Sequence, residues 1–162
     1  FNQTLVEIED DFKKYRLSEA LHTIYKLVWD DLCSWYLEMV KPAYEQPIDQ
    51  NTYNQTIYLF EKILKLIHPF MPFISEELWH EIKARDENDC LIIASWPVAQ
   101  PANATMVAQM NTALEIVTNI RNIKNANRLA KHEGVNLNIK TTNQNQYLPY
   151  CIVRLYVFFI VI

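Results

Sequence analysis

Pro69 and Pro72, three residues apart in the run HPFMPFISEELW (His68 to Trp79), force a break in any regular structure that reaches them. Neither ring carries a backbone donor, and each pushes the residue before it away from the helical region, so a periodic segment arriving at His68 must end there. Ser75, with Glu76 and Glu77 behind it, offers a capping oxygen and early carboxylates for a new helix. Phe70, Met71, Phe73, Leu78 and Trp79 supply bulky apolar groups on both sides of the break. The expected result is a helix corner sealed by aromatics, with Phe70, Phe73 and Trp79 in the core.

The rest of the chain reads as helices separated by such breaks. A single glycine, Gly134, against seven prolines argues against sheets joined by tight turns. Leu5, Ile8 and Phe12 fall at helical spacing within Gln3 to Lys14, a kink follows near Tyr15 to Leu17, and Ser18 is placed to cap the next helix. From Ser18 to Val40 an apolar stripe runs through Leu21, Ile24, Tyr25, Val28, Leu32, Trp35, Tyr36 and Met39, which assigns Trp35 and Tyr36 to the core. Leu27 and Trp29 lie off that stripe, so this helix is expected between partners. Lys41-Pro42 ends it, a loop containing Pro47 crosses over, and Thr52 to Ile67 repeats the pattern. A fourth helix is expected from Ser75 to about Arg85, followed by an extended strip, Leu91 to Ile93, pinned by Trp96. A further helix, about Asn103 to Asn125, carries Met106, Met110, Leu114, Val117, Ile120 and Ile123 on its apolar side, and the alternation in Val135 to Lys140 predicts a short strand. The expected architecture is mainly α: an antiparallel helical bundle over residues 1–100, with a small α+β appendage over residues 101–162.

No catalytic or metal centre is expected. His22, His68, His80 and His132 are not spaced as helix-face ligand pairs, and one glycine cannot build a phosphate-cradling loop. Ser34 with Asp30, Asp31 and His22 fails as a triad, because His22 is twelve positions from Ser34 and does not share its local face. Cys33, Cys90 and Cys151, odd in number and far apart, read as reduced thiols. No window is apolar enough over about eighteen residues to predict a membrane helix. The start at Phe1, without an initiator methionine or a signal-peptide layout, is read as that of an excised piece. A net charge of −4 argues against a whole-surface polyanion footprint, but Arg121, Lys124, Arg128, Lys131 and Lys140 against Glu133 leave room for a local basic face.

Three motifs in order carry a resemblance: RLSEALHTIYKLVWDDLCSWYLEMVKP (Arg16 to Pro42), the His68 to Trp79 corner, and LIIASWP (Leu91 to Pro97). Together they resemble the anticodon-binding region of class I valyl-tRNA synthetases, over roughly Tyr15 to Lys140. The isoleucyl and leucyl enzymes of the same class are the nearest alternatives. The resemblance implies a piece that binds the anticodon stem and loop of a valine-accepting tRNA and positions it for a catalytic domain in cis, in the cytoplasm. ATP and magnesium would belong to the parent enzyme, with no cofactor here and no activity of this piece alone. By position it implicates Lys26, Leu37 and Lys41, with Arg121 and Lys124 as phosphate contacts and Trp35 weighed as a base-stacker but assigned to the core. Lysines and arginines would meet phosphates, and apolar or aromatic groups the splayed loop bases.

Two departures bear on that reading. The family's preceding helix and its C-terminal coiled coil are missing from this sequence, so weak binding is expected of the piece alone. The end, CIVRLYVFFIVI, matches neither the family nor the helical pattern: it either pairs beside Val135 to Ile139 or is foreign sequence. A reading of another class, a helical protein-interaction scaffold, draws on the net acidity and on surplus apolar helix faces, which would also serve self-association.

Overall fold

The computed structural model describes residues 1–129. Among them all the regular structure is helical, in the order α1 (Asn2–Lys13), α2 (Leu17–Lys26), a π-helical stretch (Leu27–Tyr36), α3 (Leu37–Val40), α4 (Gln50–Ile67), α5 (Pro72–Glu81), a 3₁₀ turn (Leu91–Ile93) and α6 (Ala104–Ala126). Two compact units divide it, Phe1–Pro101 and Ala102–Ile162. The expected strand at Val135 to Lys140, Gly134 and the apolar tail from Cys151 lie outside the described residues.

In the first unit, α1 and α2 meet at a tight corner. No glycine is available there, so Tyr15 takes the left-handed conformation at φ 57°, which costs an ordinary residue about 1 to 2 kcal/mol. Arg16 holds the corner against that strain, reaching Asp11 at 2.7 Å and Asp10 at 3.2 Å while its backbone N–H donates to the Asp11 carbonyl. Asp11 is buried, so this is the stronger of its two ion pairs. Ser18 is not the cap expected of it. Helix α2 begins at Leu17 with Arg16 in the capping position and no side-chain cap, because the α1 carboxylates already hold the entry to the helix.

The run from Leu17 to Val40 is continuous, as expected, but it is not one regular helix. Its buried positions are Ala20, Ile24, Leu27 and Leu32, with Tyr36 partly buried behind them. The step from Leu27 to Leu32 is five residues, one more than an α-turn can bring to the same face, and a π-helical stretch supplies the extra residue. The Ser34 hydroxyl donates to the Trp29 carbonyl, five residues back, at 2.8 Å, which fits the widened turn. The predicted stripe is corrected upstream as well: Ala20, Ile24 and Leu27 set the buried face at ordinary helical spacing, which leaves Leu21 and Tyr25 exposed. Lys41 then leaves the helix at ψ 125°, as a residue before proline must.

Helix α4 is the hub. Asp49 caps it by accepting from the Thr52 N–H at 2.9 Å. Ile63 and Leu66 enter a core with Leu5 and Ile8 of α1 and Ile24, Leu27 and Leu32, while Leu64 enters a second core with Trp79 and Leu91. Each fully buried leucine or isoleucine of this kind contributes about 1.5 to 3 kcal/mol. Tyr36 adds a polar tie to α4 through Thr56, hydroxyl to hydroxyl at 3.1 Å.

The His68 corner forms, but three residues earlier in α5 than expected. Pro72 takes the first helical position, where its missing N–H costs nothing, and the helix ends at Glu81 and not near Arg85. Ser75 is therefore inside the helix and not its cap: fully buried, it donates to the Met71 carbonyl at 2.8 Å and pairs with His68 Nδ1 at 2.9 Å. Trp79 is buried at 4% exposure. Phe73 is not core: it is 91% exposed, because a start at Pro72 turns the second helical position outward. Trp35, Tyr36 and Phe70 are half-buried, and Trp96 stays 36% exposed while meeting Phe12 edge to face at 5.6 Å. Leu91 to Ile93 forms a 3₁₀ turn in place of the extended strip: Leu91 plugs the second core, and Ile92 and Ile93 are left at the surface.

In the second unit, Asn103 caps α6 through the Met106 N–H at 3.0 Å. Of its expected apolar side, Val117 and Ile120 are buried, whereas Met106, Met110 and Ile123 are exposed. Cys33 and Cys90 are free thiols. No helix among the described residues is long and apolar enough to cross a membrane.

Candidate nucleic-acid interface

The helical run from Leu17 to Val40 positions three of the five residues expected to meet RNA. Leu37 and Lys41 are one turn apart at its C-terminal end, both exposed, and Lys41 makes a loose ion pair with Glu38 at 4.0 Å. With a side chain 64% exposed, Lys41 is free to exchange that partner for a phosphate. Lys26 is exposed too, but eleven residues before Leu37, at the other end of the π-helical stretch.

Arg121 and Lys124 are on α6, in the other unit. Arg121 is half-buried and Lys124 is 8% exposed, and each already has an interaction partner. With the Lys124 residue buried, little of it is available to a phosphate, and nothing in its sequence neighbours marks this basic residue as inward-facing.

The surface around Lys26 contains a feature that the periodicity concealed. Tyr25 and Trp29, one turn apart, stack nearly parallel at 6.3 Å between centroids and 9° between planes. Both remain exposed, at 58% and 59%. Large aromatics on a helix surface are usually turned inward, and here two are held face to face in solvent beside a lysine. Their spacing of four is legible, but the sequence stripe places Tyr25 inward, whereas Ala20, Ile24 and Leu27 set the buried face and leave Tyr25 outside it.

Charge around this run is mixed. Asp30, Asp31 and Glu38 accompany the lysines. Desolvation, reinforced by the adjacent Asp30 carboxylate, holds the Asp31 carboxyl above the ordinary aspartate range. Stacking and apolar contact would therefore carry more of an RNA contact here than charge density would. Trp35 is half-buried and already engaged, which leaves less of its ring for a base than Trp29 offers. Among the described residues, one grouping of possible metal ligands is found, Glu76, His80 and Cys90, on α5 and the loop after it and not on this run.

The family model for the anticodon-binding domain of tRNA ligase matches residues 1–139. The chain is 43% identical over 145 residues to the valine–tRNA ligase of Christiangramia forsetii, covering 90% of this chain and 16% of that protein. It is 45% identical over 141 residues to the valine–tRNA ligase of Phocaeicola vulgatus, covering 87% and 16%. Against the valine–tRNA ligase of Geobacillus stearothermophilus it is 31% identical over 149 residues, covering 89% and 17%. The chain thus spans about one sixth of the length of these relatives.

Proposed function

From the premise that this chain belongs to the family of anticodon-binding domains of tRNA ligases, we propose that it binds the anticodon stem and loop of a valine-accepting tRNA. The observation that carries the proposal is identity of 43 to 45% across nearly the whole chain with proteins named valine–tRNA ligase. The parent would be a cytoplasmic, ATP- and magnesium-dependent ligase whose catalytic domain lies in cis. This domain's part in the reaction is positional: binding energy gained at the anticodon end orients the acceptor end for chemistry performed elsewhere.

The contact surface we propose centres on the exposed Tyr25–Trp29 stack, with Lys26 beside it and Leu37 and Lys41 at the end of the run. An anticodon loop presents unstacked bases to which flat aromatic faces are complementary, and lysines at either end suit the flanking phosphates. Arg121 is a secondary phosphate contact in this reading, and Lys124 a weaker one.

Binding of a fluorescent anticodon stem-loop from a valine tRNA, followed from low to moderate salt, tests the proposal. The expected result is salt-dependent binding that weakens when Trp29 is replaced by alanine. Absence of binding at low salt, with specific capture of a protein partner instead, would favour the interaction-scaffold reading, for which the 91% exposed Phe73 is the supporting observation.

A further inference from the structure

We infer that Glu76, His80 and Cys90 form a site for one zinc-like divalent transition metal, fastening α5 to the segment that follows it. One carboxylate oxygen, one imidazole nitrogen and the Cys90 sulfur all lie within 4.8 Å of one another. Four-coordinate zinc, with bonds of about 2.0 to 2.3 Å, needs neighbouring ligand atoms about 3.4 to 3.7 Å apart, so closure by roughly 1 Å completes the set. His80 Nε2 and Glu76 Oε1 are already 3.5 Å apart, being one turn apart on α5.

The ligands are held in place by the same packing and hydrogen bonds that fasten the loop to α5. Glu76 Oε1 accepts from the Leu91 N–H at 2.8 Å, which ties the carboxylate to the residue after Cys90, and a carboxylate oxygen keeps a further lone pair for a metal. On the other side of Cys90, the Asp89 carbonyl accepts from the Trp79 indole at 3.0 Å, and the Asp89 carboxylate is gripped by Arg85 at 3.0 Å. Cys90 is thus pinned at both neighbours. Its sulfur makes only a long contact with the Glu87 carbonyl, at 3.5 Å, and gives up little by turning to a metal. His80 is partly exposed, with 37% of its side chain accessible, so an ion has a way in.

The donor set selects the metal class. A thiolate with an imidazole and one carboxylate suits zinc or cobalt(II) and disfavours magnesium or calcium, which take all-oxygen shells. Binding converts the Cys90 thiol to a metal thiolate, its proton passing to solvent, with the imidazole neutral and the carboxylate ionised. Three protein ligands leave the fourth position to water. The inference is independent of RNA binding.

The test uses the full 162-residue chain carrying Cys33→Ser and Cys151→Ser, so that Cys90 is the sole thiol. Titration with Co²⁺ alone should raise a near-ultraviolet thiolate-to-cobalt charge-transfer band that saturates at one ion per chain and is bleached by one equivalent of Zn²⁺. In that background, His80→Ala and Glu76→Gln should each weaken Co²⁺ binding by about tenfold or more, while His22→Ala leaves it unchanged. Glu76→Gln keeps an acceptor for the Leu91 N–H, and circular dichroism confirms that each variant is folded. Absence of the band in the folded chain overturns the inference. So does a band of unaltered affinity in the folded His80→Ala variant.

Discussion

The guanidinium of Arg85 lies over the indole of Trp79, its carbon 3.5 Å from the ring centroid, and its Nε–H donates to the Trp79 carbonyl at 2.8 Å. The same fork reaches Asp89 and, from its other nitrogen, Glu61 on α4. Only 7% of the Arg85 side chain and 17% of Glu61 remain exposed. One residue therefore ties α4, α5 and the following loop together around the second core.

Replacing Arg85 by alanine should lower unfolding free energy in urea by about 2 to 4 kcal/mol, because it strands a largely buried Glu61 and uncovers Trp79. Arg85→Lys should recover little of it, since a single ammonium cannot serve three partners in a plane. Full stability in Arg85→Lys would show that charge alone, and not the planar fork, holds the corner.

Two aromatics six residues apart should behave oppositely. Trp79→Ala removes a buried ring and is expected to cost about 3 to 5 kcal/mol. Phe73→Ala, at a site 91% exposed, should change stability by no more than about 0.5 kcal/mol. Thermal melts of the pair check both, and a large loss at Phe73 would mean that the ring is covered in solution.

At the proposed RNA surface, Trp29→Ala should weaken anticodon stem-loop binding by about 1 to 3 kcal/mol with a much smaller effect on folding. Lys41→Ala should instead reduce the slope of log affinity against log salt by about 1 and leave the melt unchanged. Equal salt slopes for the wild type and Lys41→Ala would remove Lys41 from the interface.

Acid should destabilise the fold through its caps. Hydrogen bonds from Thr52, side chain and backbone, hold the Asp49 carboxyl below the ordinary range, and those from Arg85 do the same for Asp89. A carboxyl depressed in the folded state stabilises fully above its unfolded value, about 3.9, and loses that contribution as pH falls through the lower folded value. Asp49→Asn, which keeps a capping oxygen but cannot titrate, should flatten the acid limb of Tm against pH. Asp31 has the opposite sign: raised in the folded state, it weakens folding as pH rises through its value, so Asp31→Asn should raise Tm at neutral pH.

Which parts were legible follows from what decides each. Helix α4 was readable to within two residues because its apolar repeat and the breaks at Pro47 and Pro69 bound it, while the cap at Asp49 starts it two residues before Thr52. The aromatic corner was readable as a corner, but Ser75 competed with Pro72 for the helix start, and proline won because its fixed φ is already helical. Phe73 followed that choice outward. The fate of Leu91 to Ile93 turned on one leucine filling a hole beside Trp79, a tertiary fact that β-propensity cannot see. Of the interface, Lys41 and Leu37 were legible from position on the run, whereas the Tyr25–Trp29 stack depended on Ala20, Ile24 and Leu27, and not Leu21 and Tyr25, facing the core. Lys124 carried no local mark of its burial.

The five-residue step between Leu27 and Leu32 has the character of an angular offset. An added residue in an otherwise α-helical run rotates everything downstream by about 100° relative to everything upstream. Leu37 and Lys41 thus owe their azimuth, relative to Tyr25, to the π-helical stretch that separates them. Excising Asp31 would let the run rewind as plain α-helix with Leu32 still inward. A one-residue deletion between Leu17 and Lys26 has no such slack to draw on and would turn Ala20 or Ile24 out of the core.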